Sequence, residues 1–401
     1  MTPQPNYQRT KLACYLGFVT QAISANFVPL LFLTFYRTWG ISYADLALIP
    51  LTFFLTQLAV DYLSAKFVDR IGYRRSIIVA QVTSGAGLLM LSFVPDLCPH
   101  PFAGILVCVV IYAVGSGLIE VLCSPIIEAC PFENKAGMMS LLHSFYCWGA
   151  AGTILLSTVF FTIFGTGQWR ILACLWAIVP LYNVFNFATC PIEPIVAEGE
   201  SMTIGQLLKT KLFWLFIVLM VCAGASELSM AQWASAFAES SLGISKTAGD
   251  LLGACGFAVF MGLSRVWYGR WGAKVNLHGF MIASGALCLC SYLLAALAAW
   301  PLMGLIGCML CGFSVGIMWP GSISISSAAL PRGGTALFAL LALSGDLGGA
   351  AGPAIVGSVS HLMGESIQSG ILAGIIFPVV LMLSVVLISR HHSPDEMEKR
   401  Q

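Results

Sequence analysis

Charge is what this sequence has least of. Asp, Glu, Lys and Arg make up 9% of its 401 residues, against about 25% in an ordinary soluble domain. The stretch from Val275 to Pro331 contains none of the four. A water-soluble fold has nowhere to put what replaces them, 58% apolar residues and a mean hydropathy of +0.88. The net charge of +1 leaves no basic surface for nucleic acid and little attraction to acidic lipid. A Gly-x-x-x-x-Gly-Lys-Ser/Thr phosphate loop is missing, so drive by ATP would need another subunit. No His-x-x-x-His pair or comparable nucleophile set stands out, so neither an enzyme nor a cofactor is expected. Cysteine is plentiful, with fourteen residues, but nearly all lie inside apolar runs and only Cys98 falls in an expected external loop. Cys288/Cys290 and Cys308/Cys311 have metal-like spacing without a His or carboxylate near them. They read as buried thiols, and no metal is expected.

What is present is a series of long apolar runs. In hydrocarbon every backbone polar group must be satisfied within the chain, so such runs must be helices. We place twelve spans at about 12–37, 43–66, 76–95, 102–130, 136–165, 170–190, 212–240, 247–270, 275–300, 301–330, 335–362 and 367–390. The first run, Leu12 to Tyr36, is too long for the apolar core of a cleaved leader, so it is read as a span. Trp300-Pro301 marks the turn inside the charge-free stretch. With the N-terminus inside, sixteen of the nineteen Lys and Arg fall on inner segments. Only Arg37, Arg170 and Lys246 fall outside. That bias predicts an even number of spans and cytoplasmic termini, in the plasma (inner) membrane.

The polar segment 191–211 divides the spans six and six. It is expected to be a cytoplasmic linker between an N-terminal six-helix bundle, 1–190, and a C-terminal one, 212–401. A repeat at an offset of 200 residues supports the division. Leu63-Ser64 with Asp69-Arg70-Ile71-Gly72-Tyr73-Arg74 returns as Leu263-Ser264 with Gly269-Arg270-Trp271-Gly272-Ala273-Lys274. Gly149-Ala150-Ala151-Gly152 returns as Gly349-Ala350-Ala351-Gly352. The fold class is therefore an all-α polytopic membrane protein, twelve transmembrane helices in two pseudo-symmetric bundles.

Asp69-Arg70-Ile71-Gly72-Tyr73-Arg74-Arg75 resembles the signature loop between the second and third helices of the major facilitator superfamily, with Ala65 at its usual opening glycine. Two further segments look like the proton-coupled fucose permease branch. They are Gly115-Ser116-Gly117-Leu118-Ile119-Glu120 with Ser124-Pro125, and His143-Ser144-Phe145-Tyr146-Cys147-Trp148-Gly149-Ala150. The resemblance implies secondary transport by alternating access and a proton-coupling role for Glu120. It also implies a charge network at the inner edge, formed by Asp69, Arg70, Arg74 and Arg75, that gates one face, with Arg270 of the repeat as a further gating candidate. That branch also uses an aspartate in the first helix, where this chain has Gln21, Ser24 and Asn26. The expected function is proton-coupled symport of a small polar solute such as a sugar. The alternative is a proton-coupled exporter of drugs or amphipathic metabolites. The drug-antiporter Gly-Pro is absent from the fifth span, although Gly352-Pro353 occurs in the eleventh.

An ionisable group at bilayer depth is costly and marks function by default. Glu120, Glu227 and Asp346 are the candidate proton carriers. A carboxyl group in a low-dielectric site takes up a proton more readily. Candidate substrate contacts are Gln21, Asn26, His143, Tyr146, Gln232, Trp233, Trp319 and Ser322. His143 and Tyr146 share a helical face, and Trp319 with Ser322 sets an aromatic ring beside a hydroxyl, a pairing suited to sugars. Helix packing explains the same stripes equally well. The expected partners are a small-molecule substrate, protons or sodium, and the bilayer, with the chain acting as a monomer and no nucleic acid bound.

Overall fold

The computed structural model describes residues 6–41, 43–193, 201–240, 243, 252–253, 255–297, 300–364 and 366–391. Lys246 and parts of the linker, the eighth span and the C-terminal tail lie outside them. Every regular element described is helical. The α-helices, in chain order, are α1 (Tyr7–Asn26), α2 (Phe32–Trp39), α3 (Tyr43–Ile71), α4 (Tyr73–Leu91), α5 (Val94–Leu97), α6 (Pro101–Ala129), α7 (Lys135–Phe164) and α8 (Trp169–Thr189). After them come α9 (Ile204–Lys209), α10 (Lys211–Ser240), α11 (Gly256–Trp271), α12 (Leu277–Leu297), α13 (Pro301–Val315), α14 (Met318–Ala329), α15 (Gly334–Leu362), α16 (Ile367–Ala373) and α17 (Ile376–His391).

Ten stretches among the described residues are long and apolar enough to cross a membrane. The two others needed for twelve are α4 and α11, in the third and eighth places. Helix α4 opens on Tyr73-Arg74-Arg75, which lowers its average hydropathy, and α11 has only 16 described residues. Three spans that the sequence suggests are continuous are broken, and proline accounts for each. A proline has no N–H to donate and its ring crowds the carbonyl four residues back. Pro29 sits in the 3₁₀ turn Val28–Leu31 between α1 and α2. Pro320 and Pro378 stand four residues after Gly316 and Gly374, where the tenth and twelfth spans break. Gly72, at φ +92°, makes the turn between α3 and α4, a conformation that favours glycine.

The chain divides into two compact units. The first comprises Met1–Glu133, Phe145–Ser201 and Gly334–Ala339; the second comprises Asn134–Ser144, Met202–Gly333 and Leu340–Gln401. Inside each unit the packing repeats at the offset of 200. Gly85 brings α4 against Ala177 and Leu181 of α8, while Gly285 brings α12 against Pro378 and Met382 of α17. Gly149 lies on Val19 and Ala22 of α1, while Gly349 and Gly352 lie on Leu228 and Ala225 of α10. Small residues let the backbones approach and add dispersion contacts, the main attraction between helices in lipid. The sequence echo is therefore matched by a packing echo at Gly85 and Gly285. All fourteen cysteines are free thiols.

Candidate functional site

Glu120 in the first unit and Glu227 in the second are carboxylates at depth, and their environments differ. In the first unit Glu120 comes from α6, which starts with Pro101 at its first turn and then runs nineteen residues before its first charge. The amide of Gln21 on α1 donates to Glu120 Oε2 at 2.7 Å, and the amide of Gln57 on α3 donates to the same oxygen. Gly117, one turn earlier on α6, lies against Val60 and Gln57, so α3 comes close enough for Gln57 to reach. Gln21 and Gln57 are both buried. The carboxylate is held by neutral donors from two helices.

Around this cluster the first unit is unusually polar. Thr20 donates to Gln81 Oε1 at 3.4 Å, and Gln81, Ser84 and Ser116 are completely buried. Asp61, one turn beyond Gln57 on the same face of α3, is 0% exposed. Gln57, Gln81 and Asp61 do not figure among the candidates drawn from sequence. The buried face of α3 is the signal that finds Gln57 and Asp61, because Phe53, Gln57, Asp61, Ser64 and Val68 follow a helical repeat.

In the second unit Glu227 on α10 meets Arg265 on α11. Arg265 Nη2 donates to Glu227 Oε2 at 3.0 Å. Arg265 Nε donates to the Gly316 carbonyl at 2.9 Å, and Nη1 donates to the His143 carbonyl at 3.2 Å. The Gly316 carbonyl is the one that Pro320 displaces from helical bonding, so the guanidinium satisfies a group the helix cannot. Ser140 Oγ donates to the Arg265 carbonyl at 2.9 Å. The Arg265 side chain is 4% exposed and that of Glu227 is 14% exposed. Counted from sequence among the inner-edge charges, Arg265 is in fact buried within a span.

The remaining candidates are placed as follows. Asp346 on α15 is half-buried, and its Oδ2 is buried with no hydrogen-bond partner among the described residues. Asn26 ends α1 and donates to the Ala22 carbonyl at 2.8 Å, within its own helix. His143 is buried and belongs to the second unit, whereas Tyr146, half-buried, belongs to the first. Gln232 is exposed. Trp233 donates its indole N–H to the Pro353 carbonyl at 3.1 Å, which places it in the packing beside a proline. The indole ring of Trp319 packs against Gly345, and Ser322 donates back to the Met318 carbonyl at 2.6 Å.

At the α3–α4 turn, Asp69 accepts from Thr335 Oγ1 at 2.6 Å and from Ser201 Oγ at 3.4 Å, all within the first unit. Tyr73 OH is hydrogen-bonded to the same Thr335 hydroxyl. Arg74 donates to the carbonyls of Phe187, Ala188 and Cys190 at 2.8–2.9 Å, capping the C-terminus of α8. A cation there satisfies orphan carbonyls and the helix dipole together. Arg70 is exposed, and Arg270 lies over the Trp271 ring at 5.5 Å. No metal-binding cluster occurs among the described residues.

A family model for the Major Facilitator Superfamily matches residues 13–353. No curated protein matches the chain. Among solved structures, the chain is similar to FucP, described as the fucose:proton symporter of E. coli. In the outward conformation of FucP the TM-score is 0.80 at 15% identity, over 94% of this chain and 98% of that one. It is similar to XylE, a proton:xylose symporter, at a TM-score of 0.81 and 13% identity over 96% and 95%. It is also similar to human MFSD10, an organic anion transporter, at a TM-score of 0.74 and 16% identity over 96% and 100%. At these identities the likeness is one of fold.

Proposed function

We propose that this chain, which belongs to the Major Facilitator Superfamily and is an integral-membrane secondary transporter rather than an enzyme, carries a small polar solute by proton symport with Glu120 as the coupling group. The observation that carries the reading is the setting of Glu120. This carboxylate lies at depth and accepts from two neutral amides, and gaining or losing a proton there changes the charge of its site. A carrier that must cross the membrane both loaded and empty can use such a change to bias which state reorients. The side-chain amides and hydroxyls of Gln21, Gln57, Gln81 and Thr20 around it are the donors and acceptors a hydroxylated solute needs. Two of the similar structures are described as sugar:proton symporters, which agrees with a sugar or a related metabolite.

In the same reading both termini and segment 191–211 are cytoplasmic, joining bundles 1–190 and 212–401. Asp69, with Thr335 and Tyr73, forms a latch at the inner edge. The test is Glu120→Gln in proteoliposomes. This variant keeps the shape and most hydrogen bonding but cannot release a proton. Gradient-driven accumulation should collapse while exchange of internal for external solute survives. Full uphill uptake by the variant would remove Glu120 as the coupling group.

A further inference from the structure

We propose that a small cavity between α1, α3 and α6 holds water and, with the hydroxyls of Ser24 and Ser116, forms the route by which a proton reaches Glu120 from the end of the first unit where α3 and α6 begin. This rests on the reading of Glu120 as the coupling group and adds the path by which the proton arrives. The cavity is about 30 Å³ in volume and lies wholly within the first unit. Ser24, Ala25, Val28, Ile49, Phe53 and Tyr112 are among the residues lining it. A water needs about 10–15 Å³, so about two fit and an organic solute does not. Pro29 and Pro50 are also in its wall, so the cavity sits at the break after α1 and beside the proline inside α3.

Three buried polar atoms on the way from this cavity to Glu120 have no hydrogen-bond partner among the described residues: Ser24 Oγ, Ser116 Oγ and Gln21 Oε1. A hydroxyl in an apolar helix commonly turns back to the carbonyl one turn earlier, as Thr20 does by donating to the Leu16 carbonyl. Ser24 and Ser116 make no such bond. Ser24 follows Gln21 by three residues, and Ser116 stands four after Tyr112 and four before Glu120, so each is one turn from its neighbour in the series. Side chains lean toward the N-terminus of their own helix, so Glu120 leans toward Ser116 and the cavity end of α6. Helix α1 runs the other way, since Gln21 touches Glu120 while Val28 shares the cavity with Tyr112. Ser24 therefore leans from the cavity back toward Gln21. A buried polar atom without a partner is costly, and water in the cavity supplies what these three lack.

The step moves one proton and changes nothing else. A cavity water gives its proton to a Glu120 oxygen, breaking one O–H bond and forming another, and takes a proton from the next water in turn. The serine hydroxyls and Gln21 Oε1 hold the waters in line and keep their own protons. Other titratable side chains on these helices near Glu120 are Cys14 and Tyr15 on α1, Asp61 on α3, and Tyr112 and Cys123 on α6. Asp61 stands one turn beyond Gln57, on the side away from Phe53 and the cavity, so a proton entering here meets Glu120 first.

The experiment uses the full chain in proteoliposomes and takes two measurements. X-ray radiolytic footprinting oxidises side chains that touch bound water. Phe53 and Tyr112 should be modified severalfold faster than Phe216 and Tyr292, which are also buried and lie away from the cavity. Infrared spectroscopy at mildly acidic pH then follows the protonated carboxyl band that Glu120→Gln removes, with Asp61→Asn marking the neighbouring acid. On transfer to heavy water the band shifts as the proton is exchanged. Ala25→Leu, which fills the cavity, should abolish the fast footprint and slow the exchange. The double variant S24A/S116A adds no volume and should slow the exchange about tenfold or more, the cost of two lost hydrogen bonds to the water. Footprints at Phe53 and Tyr112 no faster than at Phe216 and Tyr292 mean a dry cavity and overturn the proposal. A wet cavity with exchange unchanged in S24A/S116A overturns it as well. Either result leaves the coupling role of Glu120 to its own test, uphill uptake by Glu120→Gln, so the two readings fail separately. A Glu120 that takes up no proton at mildly acidic pH overturns both.

Discussion

Glu120 and Glu227 are both acids in the middle of long apolar helices, and by sequence they are equivalent. The structure gives them opposite company. Glu120 is held by the amides of Gln21 and Gln57, Glu227 by the guanidinium of Arg265. An amide stabilises a carboxylate through one directed bond and stays in place when the charge disappears. A buried guanidinium supplies an equal and opposite charge, and it becomes a liability the moment its partner is lost. The lesson is that depth in the membrane marks an acid as costly, while the type of donor decides what the acid can do.

The comparison breaks most visibly on the charged side. Arg265→Ala or Glu227→Ala removes one half of the buried Arg265–Glu227 pair and is expected to cost about 3–5 kcal/mol of stability. The double variant E227A/R265A should lose less than the two single losses added together, as read by thermal unfolding in detergent. If the two single losses simply added, the pair would not be coupled. Next in size is the amide side. Gln57→Leu removes an amide donor to Glu120, a bond to a charged group worth about 1.5–3 kcal/mol. Gradient-driven uptake should fall about tenfold or more, with the unfolding midpoint moving less than in Arg265→Ala. An unfolding shift as large as that of Arg265→Ala would place the two acids in the same class. The smallest effect lies at the membrane edge. Arg74→Ala removes the cap of α8 and should cost about 1 kcal/mol, whereas exposed Arg70→Ala should stay within about 0.5 kcal/mol. Unfolding of both variants under identical conditions separates them.

Much of the fold was legible because burial in lipid and hydrophobicity are nearly the same information. The spans, the turn at Trp300-Pro301 and the 200-residue echo all follow from it, and Gly85 with Gly285 extends that echo to contacts no single sequence window reveals. The pairing of the deep acids was not legible, because a bond between Gln57 and Glu120 depends on how two helices rotate about their axes. Arg265 was misread for a related reason. It stands five residues before Arg270 and nine before Lys274, so it looks like part of an edge cluster. One and a half helical turns are enough to carry it inside. The hydrogen bond at Asp69 shows the same limit: the signature names Asp69, but nothing near it in sequence points to Thr335.

The seam between α10 and α15 carries a practical consequence. A side chain at Gly224 would run into the Gly345 carbonyl, one at Gly348 into the Val221 carbonyl, and one at Gly352 into Ala225 and Ser229. Conventional alanine scanning reads an interface by deleting atoms, and here there are none to delete. A scan that adds volume instead, one methyl group at a time, would expose the seam. It would also show that a stretch with no side chains to lose can be among the least replaceable in the chain.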